Sequence, residues 1–272
     1  MRAPASNEHT IGKIFLHGGD VHKGFNLQLK STPEWLKWKA DGDVLFANSK
    51  GSRRKALESY VKAGVVDGGK LQSHWFEQKK ANVFISHSHK DENLAIALAG
   101  WLYRTFGLLA FVDSCVWGYA NDLQRQLDNA YCKDTEKATT YSYAKRNRTT
   151  SHVHMMLSTA LIDMMDRTEC FIFLHTNESI VQNSVETSLN HPTTTSPWIY
   201  AELAASRMLR EQETGRPRVL KRAVEAYAMD GIIQYPAHLS HLNPLNDGAL
   251  RTWEGRKIQG PAALDKLYEL FG

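Results

Sequence analysis

The sequence predicts an α/β fold in which a parallel sheet carries helices on both faces. Three apolar runs lead there: Val83-Phe84-Ile85, Leu108 to Val112 and Cys170 to Leu174. Each has strand length and lacks the polar alternation of a sheet with one wet face, so each reads as a strand covered on both sides. Segments of helical period separate them, which makes the connections crossovers and the sheet doubly wound.

The chain has 272 residues, enough to bury a sizeable core. Its 33 Lys and Arg against 29 Asp and Glu leave a net charge of +4. That excess is too small and too dispersed for a nucleic-acid surface, and it suits an anionic small molecule. Three cysteines, Cys115, Cys132 and Cys170, form no CxxC pair. A disulfide framework or structural zinc site is therefore not expected, and a reducing cytosol is. The N-terminus has no signal-peptide pattern, and no segment approaches the ~20 apolar residues of a membrane span. A cytoplasmic protein without a membrane partner is the expectation.

Residues 1–79 read as an N-terminal extension of short helices and loops, punctuated by Gly18-Gly19, Gly42 and Gly68-Gly69. Within it Trp35 to Trp38 forms a short segment, and Leu57, Tyr60 and Val61 share a stripe that reads as a docking face. Residues 80–272 form the main domain. Val83-Phe84-Ile85 is its first strand, after which Asp91 can cap a helix whose buried stripe is Leu94, Leu98, Trp101 and Leu102. Gly107 terminates that helix. Leu108 to Val112 is the second strand, Asn121 to Ala130 a helix, and Val153 to Met165 another with a Met-rich core face. Cys170 to Leu174 is the third strand. Lys133 to Ser151 and Asn177 to Thr195 are polar and without period, and read as long loops. Ile232 to Tyr235 can add a strand, and Ala262 to Phe271 closes the chain as an amphipathic helix.

In an open parallel sheet ligands sit beyond the carboxyl ends of the strands. The candidates there are Ser86-His87-Ser88-His89, Asp113-Ser114 with Trp117-Gly118-Tyr119, and Thr176-Asn177. A further candidate follows the third strand. Ser196 is a good N-cap and Pro197 suits the first helical position, so Trp198 and Glu202 fall one turn apart on one helix face. Taken alone, that pair is a packing Trp beside a surface Glu. Beside the Ser86 loop it becomes a carboxylate in a cleft of hydroxyl, imidazole and aromatic groups.

His87-x-His89-x-Asp91 offers a competing reading as a metal-dependent hydrolase. It copies part of an HxHxDH signature, but Glu92 stands where the third His belongs. His152-x-His154 could complete such a site only by a long-range contact. No G-x-S-x-G elbow and no Gly-rich phosphate loop is present, which disfavours a serine nucleophile and phosphoryl transfer. Cys115 reads as an inert thiol.

In this order the segments resemble a Toll/interleukin-receptor (TIR) domain. Val83 to Ser88 with Asp91 looks like that family's opening box, Leu109 to Asp113 with Ser114 to Asn121 like its second strand and mobile loop, and Thr168 to Ser179 like its next strand. Ser196-Pro197-Trp198-x-x-x-Glu202-Leu203 is similar to the W-x-x-x-E helix of bacterial and plant members. The resemblance covers Ala81 to Glu202, somewhat under half the chain. The N-terminal extension, the two polar insertions and about sixty residues beyond the Trp198 helix depart from the family pattern.

The resemblance implies a flavodoxin-like sheet and cleavage of the bond between nicotinamide and ribose in NAD, with NAD as substrate and no cofactor. It implies that Glu202 is the catalytic residue. Ser86, His87 and Ser88 would donate to phosphate or ribose oxygens, Trp117 and Tyr119 would stack on or close over a base, and Trp198 would wall the pocket or anchor its helix. Asp113 is a substrate-binding candidate or a turn residue. Hydrolysis would give ADP-ribose, and attack by an adenine nitrogen a cyclic isomer. Self-association, a downstream effector that reads the product and a place in antiphage immunity follow by analogy. The alternative is a TIR interaction module without catalysis.

Overall fold

The computed structural model describes residues 23–50, 57–62, 65–117, 120–135, 139–181, 192–210 and 234–271, and the described residues open with a strand, β1 (Lys23–Gln28). Helices α1 (Pro33–Leu36) and α2 (Lys39–Lys50) follow, then the two-residue strands β2 (Val61–Lys62) and β3 (Val65–Val66) and helix α3 (Gly68–Trp75). Asp67 caps α3 through its carboxylate, which accepts from the Lys70 amide at 3.0 Å. Strand β4 (Val83–Ser86) leads into α4 (Glu92–Phe106), which Gly107 ends in the left-handed conformation at φ 70°. Next come β5 (Ala110–Phe111), α5 (Asp113–Trp117), α6 (Ala120–Tyr131), α7 (Tyr143–Asp166) and β6 (Cys170–His175). The chain continues through β7 (Thr193–Thr194), α8 (Pro197–Arg210), β8 (Tyr235–Pro236), β9 (Asn243–Asn246), α9 (Asp247–Glu254) and α10 (Ala262–Tyr268).

Among the described residues five strands form one sheet in the order β5-β4-β6-β1-β9, and every neighbouring pair is parallel. The α/β class with helices on both faces is as the apolar runs predict, and the architecture is consistent with a flavodoxin-like fold. Helices α1, α2 and α4 pack together on one face, and α6, α7 and α8 on the other. The middle strand β6 is apolar and buried from Cys170 to Leu174 because it has a neighbour on each side and a helix layer above and below.

The expected boundary at residue 79/80 does not divide this fold. Strand β1, from the supposed extension, lies between β6 and β9, with Phe25 opposite Ile172 on one side and Asn243 on the other. Phe25 and Leu27 are fully buried. Leu57 and Tyr60 dock into the core, as their stripe predicts.

Two other expectations are corrected. Helix α7 begins at Tyr143, inside the stretch read as a loop, because its first turns are largely exposed and have no apolar face to show a period. Asp91 makes no capping bond to α4; its carboxylate instead accepts from the Thr176 hydroxyl at 2.5 Å, across to the end of β6. Gly18-Gly19, Arg54 to Ala56 and Ile232-Ile233 lie outside the described residues, as do parts of both polar insertions. Tyr235 pairs within a short antiparallel ladder with Thr194 and does not join the main sheet.

The C-terminal segment is tied to α4 by aromatic rings. Trp253 stacks on Phe106 at a centroid distance of 4.0 Å and meets Trp101 edge-on at 5.8 Å, while its indole N–H donates to the Ala263 carbonyl at 2.7 Å. Cys115, Cys132 and Cys170 are free and buried. No helix of the described residues is long and apolar enough to cross a membrane.

Helices α2 and α4 cross at two glycines. A Cβ on Gly100 would lie 2.3 Å from the Trp38 carbonyl oxygen, and one on Gly42 would lie 2.1 Å from the Ile96 carbonyl oxygen. Gly42, which reads as a breaker in sequence, is a packing residue inside α2. In an exposed helix Gly→Ala stabilises by about 1 kcal/mol. Here Gly100→Ala is expected to destabilise by about 2 kcal/mol, because the backbones must separate; urea unfolding followed by circular dichroism measures the sign directly.

Candidate active site

The carboxyl end of β4 and the first turns of α8 meet at one carboxyl group. Pro197 opens α8, and the Ser196 hydroxyl accepts from the Ile199 amide at 3.3 Å, so the helix starts where the sequence places it. One turn further on, Glu202 is only 2% exposed. Ser86, the last residue of β4, is fully buried, and its hydroxyl donates to Glu202 Oε2. This contact joins residues 116 positions apart.

Burial is the main force on the Glu202 carboxyl and pushes its pKa well above the ordinary glutamate range. The negative charge of Asp113 pushes it the same way, and the Ser86 hydrogen bond opposes both. A carboxyl held this way keeps its proton to higher pH than an ordinary glutamate, and such shifts cluster at functional sites.

His87 extends the cluster towards α5. Its Nδ1 faces the Ile85 carbonyl at 3.4 Å and Asp113 Oδ1 at 3.5 Å, and its Nε2 lies 3.1 Å from the Ser114 hydroxyl. A carbonyl oxygen can only accept, so Nδ1 carries a proton in this arrangement, while Nε2 lies within hydrogen-bond reach of the Ser114 hydroxyl. The side chain of His87 is 1% exposed and that of Asp113 31%, so the cluster runs from the core to the protein surface. Asp91 stands behind it, where burial pushes its carboxyl up and the Thr176 hydroxyl and the charge of His87 oppose the shift.

The remaining candidates separate into three environments. Ser88 is half-buried, and its carbonyl accepts from the Asp91 amide at 2.8 Å at the start of a single 3₁₀ turn. Trp198 is half-buried and meets the His154 ring edge-on at 5.7 Å, which anchors α8 against α7. Trp117 does not line a mobile loop. It ends α5, is 3% exposed, packs on Phe111 and Phe76 at 4.7 and 5.9 Å, and donates its indole N–H to the Glu77 carbonyl at 3.2 Å. An indole so enclosed presents no face on which a base could stack. Tyr119 lies outside the described residues.

The metal reading loses its geometry. The His87 side chain is buried, whereas that of His89 is 90% exposed and faces Glu92 at 3.8 Å. Among the described residues no three His, Cys, Asp or Glu side chains gather as a metal site.

Ser114, named among the candidates after the second strand, is the partner of His87 Nε2. Sequence reasoning passed over His154 as the partner of Trp198, since that contact depends on how α7 lies on α8. No family model, characterised protein or solved structure matches the chain.

The raised Glu202 pKa has a consequence for stability. A buried carboxyl that favours its protonated form contributes stability that is complete below the ordinary glutamate pKa and is lost as pH rises through the folded value. Wild type is thus expected to lose urea resistance as pH rises above the ordinary glutamate range, and Glu202→Gln to lose less. Asp113→Asn should fall between them. Urea midpoints of the three proteins measured across a pH series test the assignment.

Proposed function

We propose that the chain is a TIR-type enzyme that cleaves the nicotinamide–ribose bond of NAD, with Glu202 as the catalytic residue. The observation that supports this reading most is the buried Glu202 carboxyl held by Ser86 and crowded by Asp113, at the carboxyl edge of a parallel sheet. The motif order from Val83 to Glu202 adds to it.

The chemistry suits one carboxylate. Nicotinamide leaves as a neutral molecule from a cationic pyridinium, taking the electron pair of the C–N bond, so no second carboxyl group is needed to protonate it. Positive charge develops on the ribose as the bond breaks. An ionised Glu202 beside the ring stabilises that charge in a site where water screens little. The Ser86 hydroxyl holds one carboxyl oxygen in place, leaving the other for a ribose hydroxyl. Water adding to the sugar carbon and losing a proton completes hydrolysis to ADP-ribose; an adenine nitrogen adding instead gives a cyclic isomer.

The buried His87 and the half-buried Ser114 beside it supply polar groups suited to phosphate or ribose oxygens. Trp198 holds α8 on α7. The reading includes self-association, a cytoplasmic location, and a signalling role in antiphage immunity in which a separate effector reads the nucleotide.

Purified protein incubated with NAD is expected to release nicotinamide, followed by chromatography, and Glu202→Gln to lower the rate at least ~10²-fold. Absence of release at every concentration, including conditions that promote assembly, refutes the enzymatic reading and leaves the interaction module. Mass spectrometry of the nucleotide separates hydrolysis from cyclisation.

The rate should also carry an acid limb, since Glu202 must ionise to act. Its midpoint is expected above the ordinary glutamate range, to move down in Asp113→Asn, where a repelling charge is gone, and to move up in Ser86→Ala, where the stabilising hydrogen bond is gone. A limb that stays fixed in both variants would assign the titration to another group.

A further inference from the structure

The position of β1 creates a second crevice at the carboxyl edge. A flavodoxin-like sheet has one switch point, where the connections after two adjacent strands leave on opposite faces, and ligands bind there. In this protein the connection after β4 runs through α4 on one face, and the connection after β6 runs through α8 on the other. Between β4 and β6 lies the Ser86–Glu202 cluster. Were the next strand reached from β6 by a further crossover on the same face, the sheet would offer no second opening. Instead the neighbour of β6 is β1, whose connection leaves through α1 and α2 on the α4 face. The divergence therefore recurs between β6 and β1.

An open cavity of about 880 Å³ occupies that place. It is walled by the residues that follow three strands: Gln28 to Thr32 after β1, His175 to Glu178 after β6, and Asn246 to Gly248 at the end of β9. Its size falls in the range of small-molecule sites. Trp35 and Leu94 form the apolar floor, both nearly fully buried. The Trp35 indole N–H is held by Asp247 at 2.8 Å, so the floor is fixed.

The lining defines the chemistry of an occupant. Four carboxylates, Glu34, Asp91, Glu178 and Asp247, face it against one ammonium, Lys30. Arg251 pairs with Glu34 and Asp247 at 2.6 and 3.3 Å, and Lys90 pairs with Glu178 at 2.8 Å. Asp91, 9% exposed, has only a neutral hydrogen-bond donor in Thr176. With Lys30, Arg251 and Lys90 set against the four carboxylates, one net negative charge is left, centred on Asp91, which disfavours an anionic occupant. Gln28, Thr32 and Asn177 add amide and hydroxyl groups that both donate and accept. Carboxylate acceptors together with amides suit the hydroxyls of a sugar ring.

We propose that this crevice is a second binding site, distinct from the Glu202 cluster, for an uncharged hydroxyl-rich small molecule: a free sugar or the ribose of an unphosphorylated nucleoside. The site does not rest on the NAD reading, since none of Ser86, His87 or Glu202 lines it. Asp91 and Thr176 belong to its wall and lie beside His87, so an occupant would sit one layer from the first cluster.

Isothermal titration calorimetry on the full chain with adenosine, sucrose and glucose 6-phosphate tests the site, the first two probes separating nucleoside from free sugar and the third testing rejection of an anion. Saturable 1:1 binding of adenosine or sucrose is expected, without binding of glucose 6-phosphate. The double variant Gln28→Ala/Asn177→Ala, changed at two exposed positions, should weaken it at least tenfold, and Ser31→Trp, which fills the crevice from its rim, should abolish it. Glu202→Gln should leave the affinity unchanged, so loss of nicotinamide release and loss of crevice binding are separate outcomes. Failure of both neutral probes to bind at millimolar concentration, unchanged affinity in the crevice variants with a native circular dichroism spectrum, or tighter binding of glucose 6-phosphate would each overturn the proposal.

Discussion

The backbone ladder between β1 and β6 is the constraint on which the rest of the molecule depends. It runs from Lys23 opposite Cys170 to Gln28 opposite His175 and gives β6 its second neighbour. Without it β6 would be an edge strand with an apolar, unpaired flank, a poor arrangement for a segment buried from end to end. The same strand receives β9 on its other side, so it also seats the segment that carries Trp253 against α4. Placement of the carboxyl edge, and of every side chain gathered there, follows from that pairing.

At that edge the protein keeps an unfavourable arrangement. A carboxyl group is removed from water, given a single hydroxyl partner and left within the field of a second carboxylate. Burial and the neighbouring charge disfavour the ionised form, the Ser86 hydroxyl offsets them only in part, and no basic partner compensates among the described contacts of Glu202. Elsewhere the chain treats a buried carboxylate quite differently. Asp128, 2% exposed, accepts from Gln124, Thr149 and Arg146 and joins α6 to α7. The contrast between a fully partnered acid and a strained one separates a structural role from a chemical one.

How much of this could be read in the sequence depended on what each segment buries. Strands β4 and β6 and helix α4 were legible because they bury apolar residues densely enough for the period to stand out. Strand β1 was not, though Phe25, Leu27 and Leu29 alternate with Asn26 and Gln28, because a short alternating run beside glycines carries little weight alone. Strand β9 could not be read at all: Asn243-Pro244-Leu245-Asn246 has one buried side chain and a proline tolerated only at an edge. The Ser86 and Glu202 pair was legible from motif order, whereas the indole of Trp117 was misread. A Trp with its N–H satisfied by a backbone carbonyl is as much at home in a core as in a loop.

The pairing of β1 also orders events in time. Residue 25 is opposite residue 172 on one side and residue 243 on the other, so a ribosome releases this strand long before either neighbour exists. Until β6 emerges, Phe25 and Leu27 have no strand to lie against, and until β9 emerges the sheet keeps an open flank. Contacts of such long sequence separation close late and slowly. From the emergence of β1 until that of β6 the nascent chain therefore carries an apolar strand without its partner, and a strand in that position depends on transient shielding to stay out of intermolecular pairings.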